Sequence, residues 1–419
     1  MRKMIYKLSR YNYCFRSGSG FALWNSFSGA LLALDKQEYL ALKAGRKPAF
    51  LRAKKREWIE KGVLIPWSLD ELCRLEQDIR RPCTMYFRIL TTTACNAACA
   101  YCYEKDTPVH SMDAETAEQT ANFILSRYQE LEDPFPLHLE WFGGEPTLNT
   151  APISQICEKL RREAVPFRSS MTTNGLLVDK FLSKETVELW NLRMVQISLD
   201  GDACVHEAAK NLRPGSFARI IRNIHLLREN GVVVKLRINH SGDLPAERAL
   251  IAFLAKEFAQ EKEGLRVYIS PLYQKAREYS REQVEEIVGL NALLIDSGLA
   301  RPEMLYALPR LHSRCFAACP GSATIAPDGR LYNCSHNMSA EQCAGSVWQA
   351  EESHPCRTEF VSPGFAGRCR DCLLLPVCMG GCRCGELGLA PIGQCHFYKN
   401  GLDLALSERL RFLRAAKDE

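Results

Sequence analysis

Six short runs rich in β-branched and aromatic residues recur along the chain, and helical patterns lie between them. They are MYFRILT (85–91), LHLEWF (137–142), FRSSMT (167–172), RMVQISL (193–199), VVVKLRI (232–238) and LRVYIS (265–270). The stretch AETAEQTANFILSRYQEL follows the first run, with Ser111 or Asp113 as its cap. SFARIIRNIHLLRENG carries Ile220, Ile221, Ile224 and Leu227 on one face and stops at Gly231. PAERALIAFLAKEFAQ and REQVEEIVGLNALLIDSG continue the alternation. Six βα units in series predict a parallel sheet, either open and doubly wound or curled into a partial barrel.

The chain has 419 residues, a length that points to two or three domains. Before the first βα unit, YNYCFRSG, GFALWNS and GALLALD read as short strands. Helical pieces around KQEYLALKAG and LRAKKREWIEKGVL follow them, giving a small α+β module. The tail LDLALSERLRFLRAA sets Leu402, Leu406, Leu410 and Leu413 on one helical face. A formal charge of +5 is too diffuse to argue for nucleic acid, though it suits an acidic peptide. No secretory signal or membrane span is read from the sequence, so a cytoplasmic setting is expected. In that setting nineteen cysteines point to metal or redox chemistry rather than disulfides. Eleven of them fall between Cys315 and Cys395, where few apolar periodicities remain and metal is expected to stand in for a core.

The uncommon residues lie where the strands end. CNAACAYC follows the first strand, GGEP (143–146) the second and TNG (173–175) the third, while SLDG (198–201) ends the fourth. Arg237 and Asn239 end the fifth strand, and SPL (270–272) the sixth. Sites of parallel α/β folds lie at the carboxyl ends of their strands, so the series marks one site. Three cysteines, Cys95, Cys99 and Cys102, are an odd number of ligands, because structural zinc and [4Fe–4S] clusters are ordinarily held by four. Either a fourth ligand lies elsewhere in the chain, or one metal position is left open for something that is not protein.

Cys95-x3-Cys99-x2-Cys102, with Tyr101 before the last cysteine, resembles the signature of the radical S-adenosylmethionine (SAM) enzymes. The ordered GGEP, TNG and SLDG series extends the likeness over residues 84–272. The resemblance implies a partial (β/α)6 TIM-like barrel. It also implies a [4Fe–4S] cluster on the three cysteines, its open iron chelated by S-adenosyl-L-methionine. An electron passed into bound SAM would then yield a 5′-deoxyadenosyl radical able to take hydrogen from carbon. By the same resemblance Gly143 and Gly144 permit close backbone approach, and Glu145 accepts from the SAM ammonium. Asn174, Ser198 and Asp200 suit the polar groups of SAM, Arg237 its carboxylate, and Tyr101 and Leu272 its adenine. Relatives often carry arginine twelve residues after the serine, where this chain has Lys210, with Arg213 close by.

The spacing from Cys319 through Gly329 and Cys334 to Cys369, Cys372, Cys378, Cys382 and Cys395 is similar to the SPASM domain of radical SAM enzymes acting on peptides and proteins. That likeness implies two auxiliary [4Fe–4S] clusters, three clusters in all. One would sit on Cys315, Cys319, Cys334 and Cys382, the other on Cys369, Cys372, Cys378 and Cys395; two structural zincs are the competing reading. Cys384 is the remaining cysteine expected near a cluster. The front module resembles the leader-recognition region of maturases of ribosomally made peptides. The expected organisation is thus an N-terminal module (1–83), the barrel (84–275), bridging helices (276–312), the SPASM segment (313–400) and a terminal helix (401–419). The expected partners are a precursor peptide with a leader and an electron donor such as flavodoxin or ferredoxin, with neither nucleic acid nor membrane. The expected reaction is an intramolecular thioether crosslink in that peptide, with His336 as the candidate base. The alternatives are an anaerobic sulfatase maturase, a peptide epimerase or a carbon–carbon crosslinking maturase. A non-enzymatic metal-binding scaffold would leave the GGEP-to-SLDG series unexplained. Sulfatase maturases carry an aspartate after the cysteine of GRLYNCSHN, where this chain has Ser335, which counts against that alternative.

Overall fold

A computed structural model describes residues 5–46, 51–79, 85–130, 137–259, 263–272, 279–301, 315–319, 321–349, 364–382 and 397–418. Cys384 and Cys395 lie outside the described residues.

The chain begins with β1 (Tyr6–Leu8), β2 (Asn12–Ser17), β3 (Gly20–Asn25) and β4 (Leu31–Leu34). β2, β3 and β4 form an antiparallel sheet in that order, while β1 pairs with β5 (Leu64–Pro66). Helix Lys36–Lys43 starts at a capping box: Asp35 accepts from the Glu38 amide and Glu38 from the Asp35 amide. Helices Leu51–Glu60 and Glu71–Asp78 follow, the latter unanticipated in the sequence. This module is not a free appendage. Tyr11, Leu75 and Ile79 pack with Phe365, Leu375 and Met379 of the cysteine-rich segment, and Arg10 pairs with Asp371 at 2.7 Å. β2 packs against the terminal helix Leu402–Asp418.

The six expected strands are β6 (Tyr86–Thr92), β7 (Leu137–Gly143), β8 (Phe167–Thr173), β9 (Leu192–Leu199), β10 (Val233–His240) and β11 (Leu265–Pro271). Each pairs in parallel with its neighbour in chain order, which is the partial TIM-like barrel sheet. Helix Ala114–Gln129 starts at Asp113, whose side chain accepts from the Thr116 amide at 2.8 Å. After helix Ser216–Glu229 the chain turns at Gly231 with φ of +75°, a conformation that favours glycine.

Residues alternate across the strands, and the alternation decides what the barrel can do. Val234, Leu236 and Ile238 of β10 are fully buried in the main core, each contributing about 2 kcal/mol. Lys235 and Arg237, between them, stay partly accessible on the opposite face. The same holds for Gln196 and Ser198 between Val195, Ile197 and Leu199 of β9. A TIM barrel interior is ordinarily filled by branched aliphatic layers. Here the inner face is polar.

The cysteine-rich segment differs from expectation. β12 (Ala323–Ile325) adds to the free edge of β6 in parallel, and β13 (Arg330–Tyr332) and β14 (Cys343–Ser346) continue antiparallel, giving a nine-stranded sheet. Ala323, Ile325, Leu331 and Val347 join the main apolar core, so part of this segment is held by ordinary burial. Among the described residues no helix is long and apolar enough to cross a membrane.

Candidate active site

The loop after β6 holds Cys95, Cys99 and Cys102 by its own backbone and by its neighbours. The Ala97 amide donates to Cys95 Sγ at 3.4 Å and the Cys102 amide to the Cys99 carbonyl at 3.1 Å. The Ala98 amide donates to the Lys210 carbonyl at 3.0 Å, tying the loop to the end of a helix after β9. Burial pushes the Cys95 thiol up to about 11, and the neighbouring Glu145, Cys99 and Cys102 charges add to it. The three sulfurs therefore share one electrostatic neighbourhood. Among the described residues no His, Cys, Asp or Glu group of three is drawn in around a single ion.

GGEP packs directly beneath this loop. A Cβ on Gly143 would stand 2.1 Å from the Thr92 carbonyl oxygen, and one on Gly144 2.4 Å from the Thr93 and Ala94 oxygens. The glycines thus let two strand ends touch, backbone to backbone. Glu145 is fully buried. Its Oε1 accepts from the Thr147 amide (3.1 Å), Thr147 Oγ1 (2.6 Å) and Thr173 Oγ1 (2.6 Å), and Oε2 from the Asn174 amide (2.7 Å). Burial raises its pKa, against the pull of those donors. The carboxylate fastens GGEP to TNG. Asn174 Nδ2 in turn donates to Asn96 Oδ1 at 2.6 Å, inside the cysteine loop.

The ends of β9 and β10 form the opposite wall. Lys210 Nζ donates to Ser198 Oγ (2.8 Å) and Tyr101 OH (3.1 Å), and lies 3.3 Å from Asp200 Oδ2. Asn239 Nδ2 donates to Asp200 Oδ1 (2.8 Å) and Tyr101 OH (3.1 Å), and the His206 ring lies 3.4 Å from Asp200. Burial would raise the Asp200 carboxyl, but His206, Lys210, Asn239 and Tyr101 outweigh it and hold it well below the usual range. Lys210, twelve residues after Ser198, thus reaches the aromatic residue of the cysteine motif. Leu272, just past β11, is buried beside this wall's strands. Asn96 and His206 were not anticipated. Nothing in their local sequence marks them, since their partners meet only through the fold.

A second set of thiols lies next to the barrel. Burial pushes Cys315 up to about 11, with Cys334 and Cys382 adding to it and Arg88 opposing, so these three sulfurs converge near β6. Cys319 is buried beside them, its Sγ donating to the Cys315 carbonyl at 3.6 Å. Cys369, Cys372 and Cys378 sit around the short helices Gly367–Arg370 and Leu375–Cys378, with the Cys372 amide on the Cys369 carbonyl at 3.0 Å. Their expected partner Cys395 lies outside the described residues. Ser335 is buried and accepts from Arg88 Nη1 at 2.7 Å. The His336 ring lies 4.3 Å from that of Tyr103, and burial together with Arg88 and Arg237 lowers its pKa to about 4. A histidine so depressed is neutral and a weak base at neutral pH.

Residues 89–248 match the Radical SAM superfamily. The chain is 24% identical to the serine-type anaerobic sulfatase-maturating enzyme of Klebsiella aerogenes, over 69% of this chain and 77% of that one. It is 21% identical to the radical SAM cyclopropyl synthase TigE of Paramaledivibacter caminithermalis, over 94% of each. Among solved structures it resembles Streptococcus suis SuiB bound to precursor peptide SuiA, with a TM-score of 0.53 and 16% identity over 94% of this chain and all of that one. The family implies a [4Fe–4S] cluster and SAM, and the three thiols of the β6 loop suit them: soft donors from one loop, with a coordination position to spare. With its cysteine motif, its parallel barrel and this match, the chain carries a radical SAM domain over residues 89–248.

Proposed function

We propose that this enzyme modifies a ribosomally made precursor peptide, closing an intramolecular thioether between a cysteine sulfur and a carbon. The observation that carries the peptide reading is the edge of the N-terminal sheet. β2 is covered by the terminal helix, whereas no strand among the described residues pairs with the outer edge of β4. Such an edge can take an extended leader by main-chain hydrogen bonds. The module's packing on the cysteine-rich segment would hold a bound peptide at a fixed distance from the barrel. A precursor peptide is bound in the related SuiB structure, which supports the same reading.

Within the barrel, Cys95, Cys99 and Cys102 would hold the SAM cluster, and Lys210, Ser198, Asp200 and Asn239 would orient SAM. That pair supplies a radical when bound. Two auxiliary clusters on the remaining thiols, and an external donor such as flavodoxin or ferredoxin, complete the proposed electron supply. The sulfatase-maturase alternative is supported by the Klebsiella relative. Against it stands Ser335, an alcohol bonded to Arg88 at the position where those enzymes carry aspartate. The test is mass spectrometry of the short reading frame nearest this gene, incubated anaerobically with reconstituted enzyme, SAM and reductant. Loss of two hydrogens with a blocked cysteine is expected. Formylglycine on a sulfatase-derived peptide, with no change in the precursor, would replace this reading.

A further inference from the structure

The inner face of the barrel carries more cations than carboxylates, and among the described residues Arg237 has no ion pair there. In the paired registers Arg88 faces Glu140 across β6 and β7, Gln196 faces Lys235, and Arg237 faces Tyr268. The only carboxylate that the six strands place on this face is Glu140, and it is taken: Arg88 Nε lies 2.6 Å away, and Tyr86 and Thr172 also bond it. Lys235 lies over the Tyr268 ring at 4.5 Å. Arg237 donates from Nη2 to one neutral acceptor, the Pro271 carbonyl at 3.1 Å, and its buried Nε has no acceptor. Among the described residues no carboxylate pairs with it.

Arg237 is partly accessible, but its buried Nε is costly to leave without an acceptor, and the planar guanidinium fork suits a carboxylate. The wall of Ser198, Asp200, Lys210 and Asn239 lies at the strand ends beside the cysteine loop. Arg237 leaves β10 one inward-facing position before Asn239, and its guanidinium reaches the Pro271 carbonyl at the end of β11, within electrostatic reach of Tyr268, Tyr279 and His336. Lys210 already supplies a cation at the level of the cysteine loop. Arg237 is thus aimed at whatever enters the barrel behind that loop.

We propose that Arg237 is a specificity residue that pairs with a carboxylate of the substrate peptide inside the barrel, so that the segment presented for modification is acidic. This rests on the peptide-maturase reading. The carboxylate can come from an aspartate or glutamate side chain or from the peptide's own C-terminus, and the assay separates the two.

The probes are pools of short acetylated peptides: one amidated and containing Asp and Glu, an amidated twin with Asn and Gln, and that twin with a free C-terminus. Binding to the reconstituted holoenzyme with SAM is read by equilibrium dialysis and mass spectrometry. One carboxylate-bearing pool is expected to bind at least about tenfold more tightly than the amidated twin. That preference should vanish in Arg237→Gln and survive in Arg237→Lys, with SAM affinity and cluster absorbance of each variant recorded as the check on folding. A preference that persists in Arg237→Gln, or three pools binding alike, would overturn the assignment while leaving a peptide substrate standing. So would a loss of SAM affinity in Arg237→Gln with the peptide preference intact, which would return this residue to the SAM carboxylate. Binding of none of the pools would sink the peptide reading, and this proposal with it.

Discussion

Replacing Gly144 by alanine tests how the cysteine loop is held. The new Cβ would lie 2.4 Å from two backbone oxygens, those of Thr93 and Ala94. Ordinary carbon–oxygen contact begins at about 3.3 Å, so the strand ends must part by about 1 Å. Two ladder bonds hold that gap closed, Gly144 amide to Thr92 carbonyl at 3.0 Å and Glu145 amide to Ala94 carbonyl at 2.8 Å. Stretching both loses about 1 kcal/mol each, and overpacking adds about 1–3 kcal/mol, for roughly 3–5 kcal/mol in all. Ala94 adjoins Cys95, so the displacement passes straight into a proposed cluster ligand. Iron content and the electron paramagnetic resonance of the reduced SAM cluster should both fall. Gly231→Ala is the control: its φ of +75° is strained for alanine but nothing lies within 4 Å. It should cost about 1 kcal/mol and leave the cluster intact. A Gly144→Ala protein with full iron and an unchanged signal would refute this account of the glycines.

Glu145→Gln opposes an amide NH2 to donors on a fully buried site and should cost about 2–3 kcal/mol in chemical denaturation. Lys210→Met should weaken SAM binding, measured by equilibrium dialysis, and should also change acid stability. Asp200 is held below its unfolded pKa, so its contribution is complete above the unfolded carboxylate range and is lost as pH falls through the folded value. Removing the ammonium raises that folded value, so the acid limb of a fluorescence-monitored pH titration should move to higher pH. Ser335→Ala leaves Arg88 Nη1 without its acceptor and should cost about 1–2 kcal/mol, with turnover retained because the hydroxyl is not a base. His336→Gln should likewise leave the neutral-pH rate profile unchanged, since the imidazole, with a pKa of about 4, does not titrate there.

The barrel was legible because its strands are long enough to show a period. VVVKLRI announces β10 by β-branched residues alone, and the observed strand, Val233–His240, differs only at its ends. The added strands β12 and β13 are three residues each, too short for any periodicity, and the pairing of β12 with β6 is a long-range event. The cysteine loop and GGEP were legible as motifs, but their mechanics were not. The close backbone approach expected of Gly143 and Gly144 is made here by the neighbouring strand end, Thr92 to Ala94, and Glu145 accepts from four protein donors. Arg237 could be placed on a strand end from sequence. That no described carboxylate pairs with it shows only when the inward faces of all six strands are assembled.

The most direct test of the radical SAM assignment is reductive cleavage of SAM by the reconstituted protein beside its Cys95→Ala, Cys99→Ala, Cys102→Ala triple variant. The wild type should release 5′-deoxyadenosine and methionine. The triple variant should release neither while keeping about two-thirds of its iron on the auxiliary thiols. Deoxyadenosine formed equally by both proteins, or iron unaffected by the triple substitution, would contradict a cluster on this loop.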